Sequence, residues 1–244
     1  MTYFAPKYRN HFLTCLLAGV ASSCFLLSLP ALGSDDKPPP SGRSSGSRGC
    51  GLMAAPTSSE APALILFSPN QQRGTTTSTR PTFAWFVRDA DARPLEFRLY
   101  EVEKNQFKLV KEIKGNAFKT SPGIMMLSLS EADPPLTVGK RYRWQVELVC
   151  NPNRPSSNLF ASAELDVVPL PTRLKQTLEQ TRDRVTQATL LAKANLWYDA
   201  VSAAFGSPNP SLLKDVQRSL LNQIAITEIE RQLLSNSATV SVQP

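Results

Sequence analysis

Apolar and polar residues alternate with a period of two through most of residues 63–168, and this alternation predicts β-strands. The clearest segment runs from Leu95 to Val102, where Leu95, Phe97 and Leu99 alternate with charged or polar residues. Turn-forming residues separate about seven such segments, a spacing that is typical of β-sandwiches. We therefore predict an immunoglobulin- or fibronectin-like antiparallel β-sandwich over residues 62–168.

Four aromatic residues are predicted to fill the core of this sandwich. Phe83 and Trp85 lie in a Pro-x-Phe-x-Trp segment, and Tyr142 and Trp144 lie in a Gly-Lys-x-Tyr-x-Trp-x-Val segment. The members of each pair are two residues apart, so they face the same side of a strand. Fibronectin-type modules carry a Tyr-x-Trp-x-Val strand near their end, which favours this architecture and leaves the function open.

The hydrophobic period changes to 3.6 residues after Pro171, which predicts a C-terminal helical region of two to four helices over residues 169–235. Thr227 and Glu230 have the spacing of a capping box at the start of the last helix. Residues 236–244 are polar and are predicted to form a frayed tail. The predicted fold class is therefore α+β, mainly β.

Residues 1–33 are predicted to be a signal peptide. Basic residues precede an uncharged stretch, Phe12–Leu29, and Ala31-Leu32-Gly33 provides a small-x-small cleavage pattern. Because the apolar stretch is longer than a usual signal core, its retention as a membrane anchor is the alternative. Lipidation of Cys24 is less favoured because apolar residues continue past it.

Residues 34–61 are rich in proline, glycine and serine and are predicted to be a disordered linker. Within it, Arg43 and Arg48 make the stretch Ser41–Gly49 basic. The formal net charge of the 244-residue chain is +7, but most other basic residues are interleaved with acidic ones. This pattern is typical of a solvated surface rather than of a nucleic-acid-binding patch.

The few histidines and cysteines of the chain exclude several kinds of catalytic and metal-binding site. The single histidine, His11, lies in the predicted signal peptide, so an exported chain lacks Ser-His-Asp catalysis, Cys-His catalysis and histidine-bearing zinc sites. Two of the four cysteines also lie there, which leaves Cys50 and Cys150. In an oxidising compartment these two predict a disulfide, with two separate buried thiols as the alternative.

No segment predicts catalytic, cofactor-binding or metal-binding residues. Ser211 and Lys214 match the S-x-x-K of penicillin-recognising enzymes, but no Lys-Thr-Gly follows, so we attribute the match to coincidence. Catalysis by two carboxylates that are distant in sequence, as in glycosidases, remains an alternative. The remaining candidate is the cluster Trp197, Tyr198 and Asp199, which either packs the helices onto the sandwich or onto each other, or exposes an aromatic surface to a partner.

Several blocks of sequence together resemble a known family. The blocks are Cys50, Pro81-Thr82-Phe83, Ser121-Pro122-Gly123-Ile124, Val138-Gly139-Lys140 with Tyr142 and Trp144, Cys150, and Trp197-Tyr198-Asp199-Ala200. They are similar to the cyanobacterial family of secreted proteins filed as domain of unknown function 928, over about residues 50–234. Departures are Ala84 between Phe83 and Trp85 and a leader with more serine and fewer consecutive glycines. The resemblance implies an exported protein of cyanobacterial source with a two-part layout, and it carries no catalytic residues.

These observations predict a non-catalytic exported protein of the envelope, periplasmic or extracellular, that acts as an interaction or structural module. The expected partner is another envelope protein, bound through the helical region or a sheet edge. The alternative is a module that binds cell-wall or surface glycan through Arg43, Arg48 and exposed aromatic residues. A carboxylate-dependent hydrolase is less favoured. No cofactor and no nucleic acid is expected, and membrane contact is expected only if the N-terminal segment is retained.

Overall fold

Two β-sheets and a set of helices make up the part of the chain that the computed structural model describes, namely residues 42–43, 50, 62–70, 72–104 and 106–242. The predicted signal peptide and most of the predicted linker lie outside these residues. The described strands are β1 (Leu64–Leu66), β2 (Gly74–Thr76), β3 (Thr82–Val87), β4 (Leu95–Glu103), β5 (Gln106–Ile113), β6 (Gly123–Ser128), β7 (Arg141–Leu148), β8 (Leu159–Val167) and β9 (Thr239–Ser241). The described α-helices are α1 (Thr172–Gln180), α2 (Arg184–Lys193), α3 (Trp197–Phe205), α4 (Lys214–Ile224) and α5 (Glu228–Ser235). The α+β class is confirmed.

The strand pairing differs from the purely antiparallel arrangement that the sequence predicts. One sheet has the order β1-β3-β6-β9 and the other has the order β2-β8-β7-β4-β5. Both are mixed, because β2 runs parallel to β8 and β9 runs parallel to β6. Parallel neighbours need a long connection, and here the chain between β6 and β9 passes through all five described helices.

The core lies between the two sheets and contains the four aromatic residues named from the sequence. Phe83 and Trp85 of one sheet and Tyr142 and Trp144 of the other are buried. The Phe83 ring lies 5.0 Å from the Trp144 ring, centroid to centroid. Aromatic side chains of this size dominate the free energy gained by burial, so this contact contributes strongly to the cohesion of the two sheets.

The helical region contains five described α-helices rather than the predicted two to four. The first long periodic segment is divided because Asp183 caps a new helix, its carboxylate accepting hydrogen bonds from the backbone N–H groups of Val185 and Thr186. A second interruption lies at Asn195, whose φ of 64° cannot continue a right-handed helix. Both interruptions arise from local capping that a hydrophobic period does not report.

The predicted capping box at the last helix is only half formed. The Thr227 hydroxyl accepts a hydrogen bond from the backbone N–H of Glu230 at 3.2 Å. The Glu230 carboxylate, however, accepts from the backbone N–H of Ile226 at 2.6 Å, one residue before the capping position. Glu230 is buried, and a further partner described below explains this orientation.

Two segments predicted to be irregular take part in the fold. Residues 239–241, in the predicted frayed tail, form β9 at the edge of a sheet. Gly42, in the predicted disordered linker, donates its N–H to the carbonyl of Ser162 and accepts a hydrogen bond from the N–H of Leu66. Backbone hydrogen bonds thus hold Gly42 and residues 239–242 in the fold, while most of the predicted linker lies outside the described residues.

Candidate functional site

The Trp197-Tyr198-Asp199 cluster begins α3 and contacts three separate parts of the β-sheets. Trp197 Nε1 donates a hydrogen bond of 2.9 Å to the carbonyl of Phe67, just after β1. The Tyr198 hydroxyl accepts from the indole of Trp144 on β7. The Asp199 carboxylate accepts from the N–H and the hydroxyl of Thr77, just after β2, at 3.0 and 2.9 Å. These contacts fasten the helical region to both sheets.

Tyr198 is the most enclosed member of this cluster. Burial raises the pKa of its hydroxyl above the ordinary value, and the hydrogen bonds with Trp144 and Ser68 offset only part of that rise. A Cβ at Gly74 would lie 2.6 Å from Cε2 of the Tyr198 ring, so the absence of a side chain there permits the close approach of β2. The ring is therefore a buried packing element of the core.

Cys50 and Cys150 form the predicted disulfide. Their Cα atoms are 4.9 Å apart, and the bridge closes a sequence separation of 100 residues. Cys50 is buried against the hydrophobic core. The bridge joins Cys50, which precedes β1, to Cys150, which lies just after the end of β7.

Arg43 forms a buried polar junction that sequence reasoning missed. Its guanidinium donates to the carboxylate of Glu230 at 2.6 Å and to Oδ1 of Asn70 at 2.7 Å. It also donates to the backbone carbonyl of Ile224 at the end of α4. Only 6% of Arg43 is exposed. A single arginine in a Gly/Ser-rich stretch gives no periodic signal, so this junction was not predictable from local sequence.

The outer face of the β4–β5 hairpin carries an exposed apolar cluster, which we call the hairpin patch: Tyr100, Val102, Phe107 and Leu109. Phe107 and Leu109 are 48% and 50% exposed. The Phe107 ring lies 6.3 Å from the Tyr100 ring, and the guanidinium carbon of Arg143 lies 4.4 Å from the Phe107 ring centroid. An exposed cation–π pair beside aliphatic side chains is a feature of binding surfaces.

Several charged residues on the rest of that outer face form ion pairs. Arg98 donates to Glu96, Glu112 and Glu147. Burial lowers the pKa of Arg98, but the hydrogen bonds that it donates to Glu112 and Glu147 outweigh this effect and raise the pKa overall. Near β2, burial raises the pKa of Asp166, but hydrogen bonds from Arg73 and Arg141 outweigh that and lower it overall. The face around the hairpin patch is therefore a network of satisfied ion pairs.

Metal ligation and membrane crossing find no support within the described residues. No group of three or more His, Cys, Asp or Glu side chains there could hold a metal ion. None of the described helices has the length and apolar character needed to cross a membrane.

A family model matches residues 43–234, which include the buried Arg43, strands β1 to β8 and the helices through Leu234. The chain belongs to the family described as Domain of Unknown Function (DUF928). The resemblance found in the sequence blocks is thereby confirmed. No curated protein matches this DUF928 member.

Two solved structures are similar to parts of this DUF928 chain at low TM-scores. A lytic polysaccharide monooxygenase from Cellvibrio japonicus, described as important for efficient utilization of chitin, has 10% identity and a TM-score of 0.28, with 41% of this chain and 58% of that chain covered. Astrotactin-2, described as a conserved vertebrate-specific and perforin-like membrane protein, has 11% identity and a TM-score of 0.25, with 75% and 41% covered. The DUF928 chain thus spans less than two thirds of either protein, and neither similarity bears on its function.

Proposed function

We propose that this DUF928 protein is a non-catalytic exported protein of the cell envelope that binds another protein through the hairpin patch. The observation that carries the proposal is the exposure of Phe107 and Leu109 on an edge strand. Among the described residues, β5 pairs with β4 alone. A partner can therefore bury the patch and also pair with the free edge of β5.

The composition of the hairpin patch supports a protein partner. Tyr and Arg are enriched among the residues that contribute most to protein–protein binding, and here Tyr100 and Arg143 both flank Phe107. Arg143 is also held by Glu164 at 2.7 Å, so its guanidinium is oriented before a partner arrives. A preoriented cluster loses less conformational entropy on binding.

Several of the described carboxyl groups are held in structural hydrogen bonds, which fits an interaction module. The carboxyl groups with shifted pKa values are Glu112, Asp133, Asp166 and Asp183, and all four shifts are downward. Hydrogen bonds from arginine, lysine, hydroxyl or backbone N–H groups cause these shifts, which suit structural ion pairs.

The disulfide supports export, because such bonds persist in oxidising compartments outside the cytoplasm. A chain of this family carrying a Cys50–Cys150 bridge fits a periplasmic or extracellular location. Whether the N-terminal segment is cleaved or anchors the protein lies outside the described residues.

Glycan binding was the alternative because of the basic residues Arg43 and Arg48 and the exposed aromatic residues, and the structure removes Arg43 from this argument. Arg43 is buried in an ion pair with Glu230, so it is not free to bind an acidic glycan, and Arg48 lies outside the described residues. The exposed rings of Phe107 and Phe160 lie at opposite corners of the sheet, about 25 Å apart by strand spacing and rise. Charged residues fill the face between them, so the two rings do not form one stacking platform.

The test is affinity capture from envelope extract with the exported chain as bait, followed by purification of each captured protein and measurement of its Kd. We expect the double substitution Phe107→Ser/Leu109→Ser to weaken binding at least about tenfold, as expected for loss of a binding hot spot. The matched control is Phe160→Ser, which removes a ring that is 52% exposed at the other corner and should leave Kd unchanged. Equal loss in both variants, or co-sedimentation with wall glycan without any protein partner, contradicts the proposal.

A further inference from the structure

A cavity of about 290 Å³ lies between the segment that joins β2 to β3 and the helix α3. Its volume is close to the lower limit of roughly 300 Å³ for small-molecule pockets. Two residues of opposite charge line it: Arg80 belongs to the segment between the strands, and Asp199 belongs to the first turn of α3. We call this cavity the α3 cavity.

Arg80 is held at the α3 cavity by uncharged acceptors. Its two terminal nitrogens donate to the backbone carbonyls of Asp133 and Glu131, each at 3.1 Å. Within the described part of the chain, no carboxylate forms an ion pair with Arg80. Each terminal nitrogen carries two N–H groups. The guanidinium is half-buried, so it retains both an unmatched positive charge and donors for a ligand.

Asp199 is likewise fixed by uncharged groups. Its carboxylate accepts from the N–H and the hydroxyl of Thr77, at 3.0 and 2.9 Å. A carboxylate offers about four acceptor sites, and Thr77 uses two of them. No lysine or arginine among the described residues forms an ion pair with Asp199, and Arg80 does not pair with it across the cavity. The α3 cavity therefore holds two opposite charges that do not neutralise each other.

One wall of the α3 cavity is apolar. It is lined by Pro81, Leu191 and Ala203, and Leu191 and Ala203 are only partly buried. An aliphatic group that covers these side chains removes apolar surface from water, which favours binding. The cavity thus combines one cation, one anion and an aliphatic wall.

We propose that the α3 cavity binds a zwitterionic ligand of amino-acid size with an aliphatic side chain. The ligand carboxylate accepts from Arg80 and the ligand ammonium group donates to Asp199, and such charge-assisted hydrogen bonds are stronger than neutral ones. A ligand with a single charge leaves the other half-buried charge without a counter-charge, which costs free energy. None of the lining residues belongs to the hairpin patch, and the proposal does not depend on the function proposed there.

The probes for the test are L-leucine and D-leucine, titrated into the exported chain and followed through its amide NMR resonances. We expect saturable shifts of the Thr77, Asp199 and Ser202 amides, with a Kd of about 1 mM or tighter, which is a moderate affinity for so small a ligand. The amides of Phe107 and Leu109 should not shift. If neither enantiomer shifts the three amides at about ten times this concentration, the proposal is wrong.

The role of the two charges is tested on the ligand, because Arg80 and Asp199 also hold the surrounding backbone. Isocaproate lacks the ammonium group of leucine, and isoamylamine lacks its carboxylate. We expect each to bind at least about tenfold more weakly than leucine, because each loses one hydrogen bond between charged groups. An analogue that binds as tightly as leucine overturns the assignment of a zwitterion.

Variants locate the site. Ala203→Trp fills the cavity and should abolish leucine binding, while the matched control Ala203→Ser should retain it. If Ala203→Trp fails to fold, Leu191→Trp on the same wall serves the same purpose. Binding that survives both tryptophan substitutions overturns the location. The double substitution Phe107→Ser/Leu109→Ser should leave leucine binding unchanged, and a loss of binding in that variant would also contradict the location.

Discussion

The indole Nε1 of Trp144 donates a hydrogen bond of 2.8 Å to the hydroxyl of Tyr198, and this buried pair joins the five-stranded sheet to α3. The two rings meet edge to face with centroids 6.2 Å apart. Trp144 lies on β7 and Tyr198 lies on α3, so this hydrogen bond forms only when α3 packs against the sheet. Of the two alternatives that the sequence left for this cluster, the structure shows the packing of the helices onto the sheets.

Removal of the Tyr198 hydroxyl tests this junction. We expect Tyr198→Phe to lower the free energy of unfolding by about 1–3 kcal/mol, because the buried Trp144 N–H loses its acceptor. Tyr100→Phe, on the exposed sheet face, is the matched control and should change stability by less than about 0.5 kcal/mol. Chemical denaturation provides both values, and equal effects would contradict the role given to Tyr198.

Substitution of only one member of the Arg43–Glu230 ion pair should lower the free energy of unfolding strongly. Arg43→Ala leaves the Glu230 carboxylate buried without its cation, so we expect a loss of about 3–5 kcal/mol. The exposed pair of Arg231 and Glu228 is the control, where Arg231→Ala should cost at most about 1 kcal/mol. The double variant Arg43→Met/Glu230→Met should recover most of the stability. If the Arg43→Ala protein is as stable as the parent, the contact of Arg43 with Glu230 does not stabilise the fold.

Gly74 is predicted to be intolerant of a side chain. The Cβ of Gly74→Ala would lie 2.6 Å from the Tyr198 ring, and we expect a loss of about 1–3 kcal/mol from the resulting displacement of β2 or α3. In a Tyr198→Leu background the ring is absent, so adding Gly74→Ala should cost clearly less than it does alone. Thermal or chemical denaturation of the four proteins completes this cycle, and strict additivity would refute the proposed clash.

A fall in pH should destabilise the folded protein partly through protonation of Asp133. Burial raises the pKa of Asp133, but hydrogen bonds from Lys111 and Ser130 outweigh this and hold it below the ordinary value. Because the folded state binds this proton less readily than the unfolded state, the stabilisation is present above about pH 4 and is lost as pH falls through the depressed pKa. We expect Asp133→Asn to flatten the decline of unfolding free energy below about pH 4. Asp215→Asn, at a side chain that is 93% exposed, should decline as the parent does.

Only part of the candidate sites could be predicted from the sequence. The period of two identified the strand that carries Tyr100, and it placed Tyr100 on the outward phase, but it could not pair that strand with Phe107 in a particular register. The bulge between Leu99 and Tyr100 decides that register, and so it decides which residues form the hairpin patch.

The sequence by itself determined the α+β class, the family and the pair of cysteines that form the disulfide. Periodicity reports which residues of one element share a face, and composition reports which chemistry is available. Tertiary structure alone decided the two mixed sheets, the division into five described helices and the burial of Arg43. Arg43 and Glu230 are 187 positions apart in sequence, and their attraction arises only after the sheets and helices have brought them together. A contact between residues so far apart in sequence produces no regular spacing of hydrophobic and polar residues, so periodicity cannot predict it.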